Sequence, residues 1–175
     1  MNLVSSEQRD ALIDRVELDA FRLELRDTYQ VSLEDGPYAD WLAGRPDDHA
    51  WMEPWLARIR RIRGRGARVR RVRVVTEPWT DYIRWEHETT PVNLAAGEDI
   101  RWLPRHTVPA GVVWPCGGRD WWLLDGRMVA VSHVDGDGRI AGVEVVRHRP
   151  VVAECVRLRD LLWDSAIPHD DYSLR

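Results

Sequence analysis

Residues 68–105, RVRRVRVVTEPWTDYIRWEHETTPVNLAAGEDIRWLPR, decide the fold. Val69, Val72, Val74 and Val75 make a β-branched run suited to a half-buried strand. Thr76 offers an N-cap hydroxyl, and Pro78 suits a first helical turn. Trp79, Tyr82 and Trp85 follow at three-residue spacing, which predicts a short amphipathic helix reaching His87 with its rings on one face. Pro91, Asn93 and Gly97 mark a loop, and Ile100 to Leu103 reads as a second strand stopped by Pro104. Strand, helix and strand in this order predict a parallel pair joined by a crossover. The fold class is therefore α/β: a single domain with a mixed central sheet and flanking helices.

Working outward, residues 1–15 read as an exposed lead-in, 16–168 as the domain and 169–175 as a tail. Phe21 to Arg26 alternates apolar and charged, the pattern of a half-buried strand. Ser32 and Asp35 resemble a capping box opening a helix with Tyr38, Trp41 and Leu42, which Gly44 ends. A second helix is predicted from Pro46 to Ile62, carrying Trp51, Trp55, Leu56 and Ile59. Beyond Arg105 a loop reaches Gly118. Trp121 to Leu124, Met128 to Ser132 and Ile140 to Val146 then read as strands, joined by Asp125-Gly126 and by Asp135-Gly136-Asp137-Gly138. Pro150 opens a last helix with Val151, Cys155, Leu158 and Leu162 on one face.

The chain has 175 residues, with 31% charged, 44% hydrophobic and a net charge of −4, which describes a soluble domain with a substantial core. No apolar run reaches spanning length and no signal-peptide pattern opens it, so a cytoplasmic address is expected, without membrane contact. Cys116 and Cys155 are expected as reduced core thiols; a lone loop cysteine such as Cys116 is more often incidental than reactive. All 25 basic residues are Arg, which removes every lysine-dependent mechanism. Ten Trp stand against one Phe. Core packing is the default for most, and several are expected to line a groove where their N–H groups find partners.

Arg58, Arg60, Arg61, Arg63, Arg65, Arg68, Arg70, Arg71 and Arg73 fall together without an intervening acid, leaving sixteen Arg against 29 acids elsewhere, a balance of −13. The functional reading is nucleic-acid binding, carried by Arg60, Arg61, Arg63 and Arg65. The plainer reading leads because the whole chain is acidic: a solvated helix face plus a strand's polar side, paired with the chain's own carboxylates, with some of Arg70, Arg71 and Arg73 beside the buried valines expected as internal salt-bridge partners.

His133 to Glu144 has calcium-loop spacing, but His is a poor hard-cation ligand and the flanks alternate as strands, so a hairpin is expected and no metal. Ser132 and His133 point to opposite strand faces, and no Gly-x-Ser-x-Gly elbow or phosphate loop exists. No catalytic residue and no cofactor are assigned. The economical constellation is a ligand site of Trp79, Trp85, Glu86, Asn93, Arg101, Trp102 and Arg105, with Arg for anions and Trp for stacking. Thr76, Glu77 and His106 also stand near strand carboxyl ends, where α/β ligands gather. The competing reading makes Glu86 and Arg101 an internal salt bridge. Asp120, Asp125 and Arg127 read as turn and pairing residues.

The strings at 68–105, DWWLLDGRMVAVSHVDGDGR at 120–139 and LLWDSAIPHDDY at 161–172 resemble an uncharacterised actinobacterial, Streptomyces-type family of proteins encoded beside XRE-type helix-turn-helix regulators. The order of elements and the terminal Leu-Trp-x-x-Ala more distantly resemble half of a phospholipase D-like domain. That superfamily uses His-x-Lys followed by Asp, and a chain without Lys cannot carry the motif. The resemblance implies a non-catalytic regulatory or ligand-sensing protein acting with a helix-turn-helix regulator or as a homodimer. The alternative is an enzyme acting on a small anionic or aromatic metabolite.

Overall fold

Two parallel pairings fix the centre of the molecule: β1 (Asp19–Glu24) beside β2 (Arg68–Val75), and β2 beside β3 (Glu98–Pro104). The computed structural model describes residues 2–136 and 138–173. β4 (Trp121–Leu124), β5 (Met128–Val134) and β6 (Ile140–Val146) extend the sheet antiparallel from β1, and β7 (Ile167–Pro168) closes the other edge, giving seven strands in the order β6-β5-β4-β1-β2-β3-β7. The α/β class and mixed sheet agree with the sequence reading.

Helices cover both faces. α5 (Arg149–Ser165) lays Val152, Cys155, Leu158 and Leu162 against Phe21, Leu23, Val72, Val74 and Leu123. Opposite it, α1 (Ser6–Ile13) and α3 (Glu53–Gly64) enclose Ala20, Val69 and Trp122 with Ile13, Ile59 and Ile62. α4 (Asp81–Ala96) covers Val75, Ile100 and Trp102, with α2 (Asp35–Leu42) packed outside it. Because strand side chains alternate, Phe21 and Leu23 enter the α5 core while Arg22 and Glu24 enter the other layer. β1 is thus buried on both faces, not half-buried. Cys116 and Cys155 are free thiols whose Sγ atoms lie 3.9 Å apart.

The linking helix is longer than its sequence suggested. It starts at the N-cap Thr80, whose hydroxyl accepts from the Ile83 N–H, and runs through Pro91 to Gly97 at φ +102°. An interior proline costs about 3 kcal/mol. Burial of Thr89, Thr90, Asn93 and Ala96 beyond the expected end at His87 outweighs that. Thr76 instead donates its hydroxyl to Asp27, and Pro78 precedes the helix after a cis Glu77–Pro78 peptide.

Other boundaries moved for similar reasons. Residues 6–13 of the expected lead-in form α1, capped by Ser5 and Gln8, and Ile13 is fully buried. The Ser32–Asp35 box is absent: Glu34 is the N-cap, without a side-chain capping bond. α3 starts only at Glu53, after a short 3-10 turn at Ala50–Met52. Asp125 and Gly126 take positive φ between β4 and β5, as expected. Asp125 also accepts from the N–H groups of Glu17, Leu18 and Asp19. Across β5 and β6, His133 Nε2 meets Glu144 Oε2 at 2.9 Å; Asp137 of that hairpin lies outside the described residues.

The expected tail docks. Tyr172 is buried, its hydroxyl accepting from Trp79 Nε1 and donating to Glu77. Trp102 Nε1 donates to His169 Nδ1 at 3.1 Å, and the His87 and His169 rings are 4.3 Å apart. Burial first, then the charges of His87 and Arg73, lower the His169 pKa, with Asp170 opposing. A lowered histidine pKa means that the unfolded chain binds the proton more readily. Stability linked to this ring is therefore complete above about pH 6.5 and declines as pH falls through the lower folded value. The His169→Asn variant should lose less melting temperature than the parent between about pH 7.5 and about pH 5, as read by thermal denaturation across that range.

Candidate functional site

The inward face of β1 and β2 carries charge where a sheet ordinarily carries aliphatic side chains. The register sets Arg22 beside Arg71 and Glu24 beside Arg73. Arg71 donates to Glu24 at 3.0 Å and to Glu98 at 2.8 Å. Glu98 also accepts from Trp55 Nε1 at 3.1 Å and Asn93 Nδ2 at 2.9 Å. Arg22 Nε donates to Glu24 at 2.6 Å, and Arg73 forms ion pairs with Glu24 Oε2 at 3.3 Å and with Glu86. Three cations and three carboxylates therefore lock three strands to α4, and Trp55 ties α3 to the same network. Burial alone would raise the Glu24 carboxyl; Arg71, Arg73 and Arg22 reverse this and hold it well below the usual carboxylate range.

Above this floor lies a cavity of about 430 Å³, within the size range of small-molecule sites. Trp51, Trp55, Trp85 and Trp122 supply apolar walls, and Arg9 and Arg58 a basic corner. Tyr29 donates its hydroxyl to Asp120 and Tyr82 donates to Glu34, each at 2.6 Å. Burial raises the pKa of both carboxyls against those bonds. No histidine and no cysteine lines the cavity among the described residues, and those residues contain no cluster of three or more His, Cys, Asp or Glu positioned for a metal.

The seven residues of the expected ligand site divide. Trp85, Glu86 and Asn93 line this cavity. Trp79 and Trp102 are sealed beneath Tyr172 and His169. Arg101 lies on the opposite sheet face, stacked 4.0 Å over Trp163 and donating to its carbonyl, so it does not pair with Glu86. Arg105 is a staple: it donates to Thr76 Oγ1 and to the carbonyls of Leu25 and Val74. Asp120, read as a turn residue, is a cavity wall and accepts from the Leu25 N–H.

The arginine run is largely consumed within the chain. Arg70 forks onto Asp19 with both bonds at 2.8 Å. Arg60 pairs with Glu53 and Arg61 with Asp14; Arg63 donates to the Ala67 carbonyl, and Arg65 to those of Asp14 and Val16. The plainer reading of self-pairing fits these contacts.

Sequence reasoning missed Arg9, Arg22, Glu24, Tyr29, Glu34 and Trp122. The signal available was the alternation in β1, whose charged positions were assigned to solvent. Only the helices covering that face make them internal.

The chain belongs to the family described as a domain of unknown function, DUF6879, whose model matches residues 7–174. A search of curated proteins returned no match. Among solved structures, a phospholipase D family member, Nuc from Salmonella typhimurium, aligns with a TM-score of 0.51 at 10% identity, over 93% of this chain and 88% of that one. TrmBL2, an archaeal chromatin protein, aligns with a TM-score of 0.49 at 11% identity, over 92% of this chain and 49% of that one. The chain thus spans about half the length of the chromatin protein. At this identity the likeness to Nuc concerns the fold alone.

Arg71→Met should cost about 3–5 kcal/mol, because it strands Glu24 and Glu98 as buried charges. Arg60→Met, on an exposed pair, should leave the urea midpoint unchanged. Urea denaturation of both variants beside the parent makes the comparison.

Proposed function

We propose that this DUF6879 protein is a non-catalytic sensor that holds a small ligand in the cavity over the β1–β2 charge network and passes its state to a protein partner. The observation that carries this reading is the cavity itself. Its cations are fixed by neighbouring carboxylates and its tryptophans by mutual packing, with Trp51 and Trp85 stacked at 5.8 Å between centroids and Trp55 against Trp122 at 5.6 Å. A site organised before binding loses little entropy when it fills.

The groups lining it favour recognition over turnover. The phospholipase D-like reaction needs a His nucleophile and a Lys; the cavity has no His among its described lining and the chain has no Lys. The resemblance to actinobacterial proteins encoded beside XRE-type helix-turn-helix regulators supports such a regulator as partner. The likeness to a phospholipase D-like half supports a second copy as the other choice. One observation favours the enzyme reading: Glu34 and Asp120 are carboxyls raised by burial inside the cavity, the state a general acid requires.

Thermal scanning of the purified protein against small-molecule fractions of its native host separates these readings. A sensor gains melting temperature with ligand concentration and returns the ligand chemically unchanged. Recovery of a converted product would replace the sensor with the enzyme. Trp85→Ala, which opens the wall without removing a charge, should abolish the ligand-dependent shift. Affinity capture of the tagged protein should retrieve a helix-turn-helix regulator or a second copy.

A further inference from the structure

Three guanidiniums, each paired to a carboxylate, line one corner of the cavity. Arg9 comes from α1, Arg22 from β1 and Arg58 from α3. Asp10 is shared between Arg9, at 2.6 Å, and Arg58, at 3.2 Å. Arg58 reaches Asp14 as well. Glu24 is divided among Arg22, Arg71 and Arg73. Arg22 pairs with that carboxylate through its Nε, so among the described residues both terminal nitrogens of its guanidinium remain for another acceptor, and the side chain, 17% exposed, lines the cavity.

The three guanidiniums repel one another. Burial first, with Arg22 and Arg58 adding to it, lowers the Arg9 pKa against the pull of Asp10. Glu34 and Asp120 accept from tyrosines and are raised by burial, while at Arg22, against desolvation, Glu24 and then Asp120 favour the cation and raise its pKa. The two nearest rings are already faced by cations: the Arg22 guanidinium sits 5.3 Å over Trp122 and that of Arg58 sits 5.8 Å over Trp55.

We infer that the Arg9–Arg22–Arg58 corner binds the phosphate group of a small phosphorylated aromatic compound, of mononucleotide size, whose ring lies along the tryptophan wall. The inference rests on the ligand-sensing reading and names its ligand class. A carboxylate presents two oxygens and one charge, whereas a phosphate monoester presents three terminal oxygens and up to two charges, matching donors that come from three elements. A cavity of about 430 Å³ holds one such molecule and no polymer.

The test uses the full chain and calorimetric titration with inorganic phosphate, adenosine 5′-monophosphate, adenosine and benzoate. The monophosphate should bind, phosphate alone more weakly, and adenosine and benzoate weakly or not at all. Arg22→Gln should weaken monophosphate binding by about tenfold or more, as loss of a charge-assisted fork implies. Should Arg22→Gln fail to fold, Arg9→Gln serves, since among the described residues Arg9 pairs with Asp10 alone. Arg157→Gln, on α5 across the sheet, is the control. Adenosine or benzoate binding as tightly as the monophosphate, or binding unaffected by the Arg22 and Arg9 variants, overturns the phosphate assignment and leaves the sensor reading standing. Conversion of the monophosphate to products overturns the sensor reading and leaves the phosphate site standing. Absence of binding by all four compounds overturns the assignment.

Discussion

Glu24 is the residue on which the interior depends. Its two carboxylate oxygens face Arg22, Arg71 and Arg73, three guanidiniums on two adjacent strands. Removing ions from water costs several kcal/mol each, and only close pairing returns it. Burial of β1 and β2 under the helices therefore depends on Glu24 pairing those cations. The same demand recruits Glu98 at the start of β3 and Glu86 on α4. Paired charge takes the place of aliphatic packing in this layer, and tryptophan covers it.

Tryptophan suits that position because it joins a large apolar surface to one N–H donor. Trp55 places its face against Trp122 and its N–H on Glu98; Trp41 and Trp51 donate to Glu88 and Asp47. Trp122 Nε1 is an exception, buried without an acceptor among the described residues. The other sheet face follows the ordinary rule, with Phe21, Leu23, Val72 and Val74 under α5. The face under α5 is a conventional core, whereas the other combines two apolar clusters with a charged chamber. This asymmetry locates the cavity.

Legibility of the sequence follows the range of the forces involved. The β2–α4–β3 unit was readable because Val74 and Val75, the Trp79–Tyr82–Trp85 spacing and Ile100–Leu103 carry local periodicity. The Asp125-Gly126 turn was readable because positive φ needs particular residues. The end of α4 was not, since Pro91 signals a break and only burial of Thr90 and Asn93 overrides it. The site was half readable. Trp85, Glu86 and Asn93 were found because they sit within the diagnostic stretch, whereas Arg22 and Glu24 were set on a solvent face by their own alternation.

The sequence by itself determined the α/β class, the parallel pairing, the hairpins and the absence of lysine chemistry, because each depends on neighbours a few residues apart or on composition. Tertiary structure decided which charges are inside and with what they pair. The valines beside Arg71 and Arg73 marked them as candidates for internal pairing without naming a partner, Arg22 has the local pattern of a solvated strand edge, and Trp79 and Trp102 have that of pocket walls. What separates them is contact across long stretches of chain: α1, α3 and α4 roof the first set, and Tyr172 and His169 seal the second. Burial is a property of the assembled layers, and no local spacing encodes it.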